Sequence, residues 1–361
     1  MLKKLFCLIV IINITTLFAD SVSTKLRTVT KIAEGVFVIR HQDAPNEFPQ
    51  GNTTVIIGQN SVLVVDACYL PSSAKEDIEQ IKKWTDKPVR FLVNTHYHLD
   101  HNNGNYLYAE AFPGITIISH QETQKLIATR SWNEVVKSID EYDILKKQIE
   151  SGKDEKGNYY SEQELNDFKK YLNTAKTIQD EFKNIKPTPP NTVFDNELNI
   201  DLGSRKVEIK FLGRGNTIGD IVVYLPMERI IAAGDLVVYP VPYAYLGYPS
   251  EWAKTLQKIY DMDVEIIVPG HGKVLKDKTY LQKIIAVINT VVEKAEQEII
   301  KLGHTSRLPR IQTTVENVQN SIDWTEFRKY FGKGIKENED FFDDSVMGGL
   351  VRAAVFEAEL K

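Results

Sequence analysis

Cysteine is nearly absent: there are two in 361 residues. One of them, Cys7, lies in an apolar N-terminal run, which leaves Cys68 without a partner and the processed chain without an internal disulfide. No strongly basic stretch occurs either. Lys and Arg number 44 against 49 Asp and Glu, a formal net charge of −5. Phosphate binding needs clustered cations, so nucleic acid is disfavoured as the main partner. Beyond the N-terminus no segment approaches the roughly 20 apolar residues of a membrane helix. No internal repeat is visible.

What is present suffices for a large core, since 42% of residues are hydrophobic. The opening "MLKKLFCLIVIINITTLFAD" has Lys3 and Lys4, an apolar run and a small residue at Ala19. It reads as a secretory signal peptide over residues 1–19, so the expected location is exported, periplasmic or secreted, with no membrane contact after cleavage. "GVFVIRH", "NTTVIIG" and "SVLVVDA" predict short strands, and "VRFLVNT" and "ITIIS" two more. "SSAKEDIEQIKKWT" has helical spacing, with a polar cap expected at Ser72 or Ser73. Residues 121–186 are charged and helically periodic, broken by "SGKDEKGNYYS", and predict a helical hairpin inserted into a β-rich unit. Strands return over 192–234. Residues 278–361 read as a C-terminal helical region, its last part, from Ser306, as two or three helices.

Seven histidines occur, and three fall in "VNTHYHLDHNNGN". His96 and His98 follow a predicted strand, so period-2 geometry points both imidazoles the same way. Asp100 and His101 come next in the turn. Imidazole and carboxylate at such spacing suit zinc or another first-row ion. Two more strand ends carry ligand-type residues, Asp235 in "AAGDLVV" and His271 in "IIVPGHGKV". Loops at one edge of a sheet sandwich would converge these on one point.

Those motifs resemble the metallo-β-lactamase superfamily over roughly residues 30–275. "THYHLDH" resembles its H-x-H-x-D-H motif. "AGDL" and "PGHG" resemble its bridging-carboxylate and last-histidine motifs, and "VLVVDA" the early strand with its buttressing aspartate. The resemblance implies an α/β fold of the αββα four-layer type, with the site in a unit over 28–277. It implies Zn2+ as cofactor, one or two ions. His96 and His98 would bind one, Asp100, His101 and His271 the other, and Asp235 would bridge, as in the glyoxalase II-like branch. Asp66 and Asp220 would support the ligands from behind. The family's remaining histidine is replaced by Asn216 in "GRGNTIGD", a weaker donor, so the first ion is expected to be held loosely.

The implied activity is hydrolysis of an amide, ester, lactone or thioester by zinc-activated water, with Asp100 orienting it and accepting a proton. β-Lactams are one candidate among many chemistries the fold hosts. An iron-dependent oxygenase or redox protein is the first alternative; a non-catalytic metal- or ligand-binding protein is the second. A small-molecule substrate is expected. "VVYPVPYAYLGYPSEW" supplies Tyr239, Tyr243, Tyr245, Tyr248 and Trp252. It reads either as an aromatic wall for substrate, Tyr243 and Tyr245 foremost, or as a rigid loop packed on the hairpin. Arg214 reads as a partner for a substrate carboxylate or for a structural acid.

Overall fold

The computed structural model describes residues 23–24, 27–44, 48–154, 156–245, 247–302 and 308–361. The expected signal peptide lies outside the described residues. Among them, no helix is long and apolar enough to cross a membrane.

Two sheets form the centre. The first takes eight strands in sequence order: β1 (Ser23–Thr24), β2 (Arg27–Ala33), β3 (Val36–His41), β4 (Thr53–Ile57), β5 (Val62–Val65), β6 (Val89–Val93), β7 (Thr116–His120) and β8 (Thr192–Phe194). β1 to β5 pair antiparallel, and β5 to β8 parallel. The second comprises β9 (Glu197–Asp201), β10 (Lys206–Lys210), β11 (Val222–Leu225), β12 (Ile230–Ala232) and β13 (Ile266–Val268). Its strands are antiparallel except β12 and β13, which run parallel.

The alternation of side chains explains the layers. Leu63 and Val65 of β5 face Val207, Ile209, Val223 and Ile230 of the other sheet in a dry inter-sheet core. Val62 and Val64 point the opposite way, into a core shared with helices Pro71–Trp84 and Asn105–Ala111. On the far side, Val222, Tyr224, Ile231 and Ile267 pack under helices Pro249–Asp261 and Thr279–Leu302 and the C-terminal helices. The order is helix, sheet, sheet, helix, the expected αββα sandwich. Because the central strands bury both faces, they read as continuous apolar runs.

The inserted pair appears as helices Trp132–Ser151 and Glu162–Phe182, the second opened by a capping box at Ser161 and Glu164. Two local expectations change. Helix Pro71–Trp84 starts on a proline at its first position, with no side-chain cap. Ser72 instead offers its N–H and hydroxyl to Glu181 of the inserted pair. The final segment is richer than two or three helices: Leu308–Asn320, Thr325–Gly332, Lys336–Phe342 and Val351–Glu359, with a π-helical stretch at Asp343–Leu350.

Candidate metal centre

Every ligand-type residue singled out in the sequence follows the carboxyl end of a buried strand. Asp66 leaves β5, His96 and His98 leave β6, Asp235 leaves β12 and His271 leaves β13. Main-chain bonds lock these loops to one another. Gly270 N–H donates to Gly234 O at 2.8 Å, Asn52 N–H to Gly270 O at 2.7 Å, and Ile221 N–H to Thr95 O at 3.0 Å. The short helix Leu99–Asn102 that carries Asp100 and His101 is held by Ala67 N–H and Asn94 Nδ2, both donating to His101 O. Two glycines are required by closeness: a Cβ at Gly270 would lie 2.0 Å from Asp235 Oδ1, and one at Gly51 would lie 2.6 Å from His101 Cε1.

The side chains converge as two triads. His96, His98 and Asp235 form one; Asp100, His101 and His271 form the other. In the first, His96 Nε2 lies 2.9 Å from His98 Nδ1 and 3.6 Å from Asp235 Oδ2. In the second, His271 Nε2 lies 2.9 Å from Asp100 Oδ2 and 3.3 Å from His101 Nε2, which is itself 3.1 Å from Asp100 Oδ2. Asp235 faces both: its Oδ1 is 3.3 Å from His101 Nε2 and 3.5 Å from His271 Nε2, while Oδ2 turns to His96. Ligands bound tetrahedrally at ~2.0–2.1 Å lie about 3.3 Å apart, so these separations fit a cation at each triad. Nitrogens facing nitrogens inside a buried cluster have the same meaning. Asp235 Oδ1 and Asn216 Oδ1 are both buried without a hydrogen bond. Asn216 directs its Nδ2 to Asp235 O at 3.4 Å, which leaves its amide oxygen free to act as a donor.

The support behind the triads is uneven. Asp66 Oδ2 meets His101 Nδ1 at 2.8 Å and fixes its tautomer, so Nε2 faces the cluster. The same carboxylate accepts from Thr95 N–H at 2.8 Å and Thr95 Oγ1 at 2.9 Å. Asp66 sits at φ 64°, a left-handed conformation that aims it there. Asp220 lies on the Asn216 side, where Thr217 N–H donates to it, and burial pushes its pKa up to about 7.

Charge follows this layout. Burial, then the neighbouring His101, depresses His96; burial depresses His98. Burial also opposes charge on His101 and His271, yet Asp100 and Asp235 outweigh it and raise both. Asp100 and Asp235 in turn are drawn down against burial by the histidines facing them. The donor set attracts positive charge, as a cation site requires.

A cavity of about 1270 Å3 opens over the triads, and His98, Asp100, Asp235 and His271 reach it. Tyr243 and Tyr245 line it too, and the Tyr243 ring stands 6.0 Å from that of His98. Their loop packs on the C-terminal segment rather than on the hairpin: Ser345 accepts from Ala244 N–H and donates to Pro242 O, and Tyr245 bonds Asp344. Arg214 does not line the cavity; it grips Glu251 and lies 3.9 Å over Tyr248.

Sequence reasoning missed Thr95, Arg130, Glu134, Phe182 and Phe341, whose places at the site depend on distant partners. It also missed a third buried group, His41, Cys68 and Asp77. Here Asp77 Oδ2 accepts from Cys68 Sγ at 3.3 Å and meets His41 Nε2 at 3.0 Å, while Arg27 faces Oδ1 at 3.4 Å. Burial, then the charge of Asp77, pushes the thiol pKa up, and Arg27 already balances the carboxylate. This group is a hydrogen-bonded network at the cavity wall, which His41 lines.

The family model of the metallo-beta-lactamase superfamily matches residues 46–271. The chain belongs to that superfamily. A type 2 metallo-beta-lactamase from Bacillus sp. (strain 170) is 36% identical over 83 residues, 21% of this chain and 32% of the relative. One from Elizabethkingia meningoseptica is 25% identical over 118 residues, 31% of this chain and 47% of the relative. The chain thus spans less than half the length of these curated relatives. Among solved structures, a metallo-beta-lactamase from Pontibacter korlensis aligns at TM-score 0.51 and 18% identity, covering 73% of this chain and 99% of its own. A sec-alkylsulfatase from Pseudomonas sp. aligns at TM-score 0.59 and 13% identity, covering 91% of this chain and 49% of its own. At these identities the likeness is one of fold, and that fold serves β-lactamases and a sulfatase alike.

Proposed function

We propose that the protein is an exported, zinc-dependent hydrolase that cleaves an amide, ester, lactone or thioester bond of a small molecule, with β-lactams among the candidates. The observation that carries this reading is the shared carboxylate: Asp235 turns one oxygen to each of two imidazole-containing triads at the floor of a cavity. His96 and His98 would hold one ion, with Asn216 Oδ1 as a weak third donor. Asp100, His101 and His271 would hold the other, and Asp235 both. Bound ions supply a Lewis acid and a water acidified towards neutrality.

The chain's own residues do the rest. Asp100 faces the cavity beside His271 and His101. It orients the attacking water and takes its proton on a carboxylate oxygen. Asp66, bonded to His101 Nδ1, would leave Nε2 to bind an ion. Asp220 supports the Asn216 loop through Thr217. Tyr243 and Tyr245 shield the site from bulk water and contact substrate, and Arg214 holds the loop's far end through Glu251 and Tyr248.

A panel of nitrocefin, lactones, thioesters and phosphodiesters tests the reading, run with zinc, with chelator and on Asp100→Ala. Carbonyl substrates turn over only with metal and intact Asp100. Silence across the panel in the presence of zinc would favour a binding protein instead.

A further inference from the structure

The cavity has two aromatic walls from different parts of the chain. The first comprises Tyr243, Tyr245 and Phe341, with ring centroids 5.0 Å apart for Tyr243 and Tyr245 and 6.2 Å for Tyr245 and Phe341. It stands on the His98 side, through the contact of Tyr243 with that imidazole. The second comprises Phe48, Tyr69 and Phe182. Phe48 stacks on Tyr69 at 4.5 Å, and Tyr69 meets Phe182 edge-on at 5.1 Å. It lines the same cavity as Asp100 and His271 of the other triad, with Phe48 exposed and Tyr69 and Phe182 buried behind it. Four of these six rings lie on the site-proximal loops, while Phe182 ends the inserted pair and Phe341 belongs to the C-terminal helices.

Outside the triads the charged lining is paired or exposed to solvent. Arg130 is paired with Glu134 at 3.0 Å and lies 5.1 Å over Tyr97, and Arg40 and Asp43 are exposed at the rim. Gln50 spends its side chain on Gln42 O and Leu70 N–H. What remains for recognition is apolar ring surface at two places on the cavity wall, presented by Phe48 on one and by Tyr243, Tyr245 and Phe341 on the other, and rings prefer rings or bulky apolar groups.

Building on the hydrolase reading, we propose that the substrate is a two-armed neutral molecule, with a ring or bulky apolar group on the acyl side and another on the leaving group, one against each wall. Hydrolysis then consumes one water: the new carbon–oxygen bond leaves the acyl arm as a carboxylic acid, and the broken bond leaves the other arm as a thiol, alcohol or amine carrying the proton. A cavity of about 1270 Å3 has room for both arms at once.

Four thioesters test this, pairing an acetyl or phenylacetyl acyl group with an ethyl or naphthylmethyl thiol, with thiol release as the readout. The doubly ringed compound is expected to show kcat/KM about tenfold above either singly ringed one, and the acetyl-ethyl compound the lowest. Phe48→Ala and Phe341→Ala should each remove the preference at one arm and leave the other, with unchanged metal content. Methylene ketones, in which carbon replaces the thioester sulfur, give the same matrix by calorimetric binding. If the ketones follow the matrix without any thioester turning over, the hydrolase reading falls and the two-armed cleft stands. Equal kcat/KM and equal binding across the four compounds, or loss on adding the second ring, would overturn the two-armed cleft.

Discussion

His96 and His101 are both fully buried imidazoles on one turn, five residues apart, yet their surroundings drive their protons in opposite directions. His101 has Asp66 on one nitrogen and Asp100 and Asp235 on the other. His96 has the Thr95 hydroxyl on one nitrogen, and on the other His98 and a single carboxylate, Asp235. The difference extends outward. Asp66 bonds His101 of the second triad directly and reaches His96 of the first only through Thr95, and beside the first lies an amide, Asn216, with its oxygen unbonded. Two triads joined by a single carboxylate therefore differ in donor charge and in second-layer support, and both differences favour tighter metal binding at Asp100, His101 and His271.

The comparison breaks most severely at the carboxylate the triads share. Asp235→Ala should lower zinc affinity at both by more than about 100-fold each, since it removes a ligand rather than an outer partner. Isothermal titration reads this directly, and loss of a single site would mean that Asp235 serves one ion alone.

Next in size is the protonation of Asp220. Its folded pKa of about 7 exceeds the unfolded carboxylate value of about 3.9, so the native state binds more protons between these values. Stability of the metal-free protein is therefore highest below pH ~4 as far as this group is concerned, and falls as pH rises through 7, by roughly 4 kcal/mol at the ceiling. Urea melts across that range should show the fall, and Asp220→Asn should flatten it. A wild-type profile as flat as the variant's would refute the assignment.

A smaller effect separates the triads. Asp66→Ala should weaken the second site 10- to 100-fold and the first by less, since it reaches His96 only through Thr95. It also strands the buried Thr95 N–H, at ~1–3 kcal/mol. Smallest is the repair: Asn216→His should raise first-site affinity about tenfold, because imidazole is the stronger donor to zinc. Competition with a chelating dye measures both, and equal weakening of the two sites by Asp66→Ala would remove the asymmetry.

Much of this was legible because the site is built from local grammar. A strand's two-residue period predicts that His96 and His98 point together, and apolar runs ending in Gly-Asp and Gly-His mark strand ends where loops gather. The αββα sandwich came with the family resemblance of those motifs. What stayed hidden depends on long-range partners. Ser72 looks like a helix cap but bonds Glu181, 109 residues away. Arg214 turned out to hold Glu251, and nothing in its neighbours on the chain says so. His41, Cys68 and Asp77 sit on three separate elements and meet only after the sheet and helix pack. The aromatic loop looked able to pack on the hairpin, whereas its hydrogen bonds go to Ser345 and Asp344, about a hundred residues on.

Metal content after extensive dialysis tests the central claim, a pair of triads that share Asp235 and hold their ions unequally. The protein loaded with two equivalents of zinc should keep close to one and recover the second only on readdition. Two equivalents retained alike, or none, would contradict it.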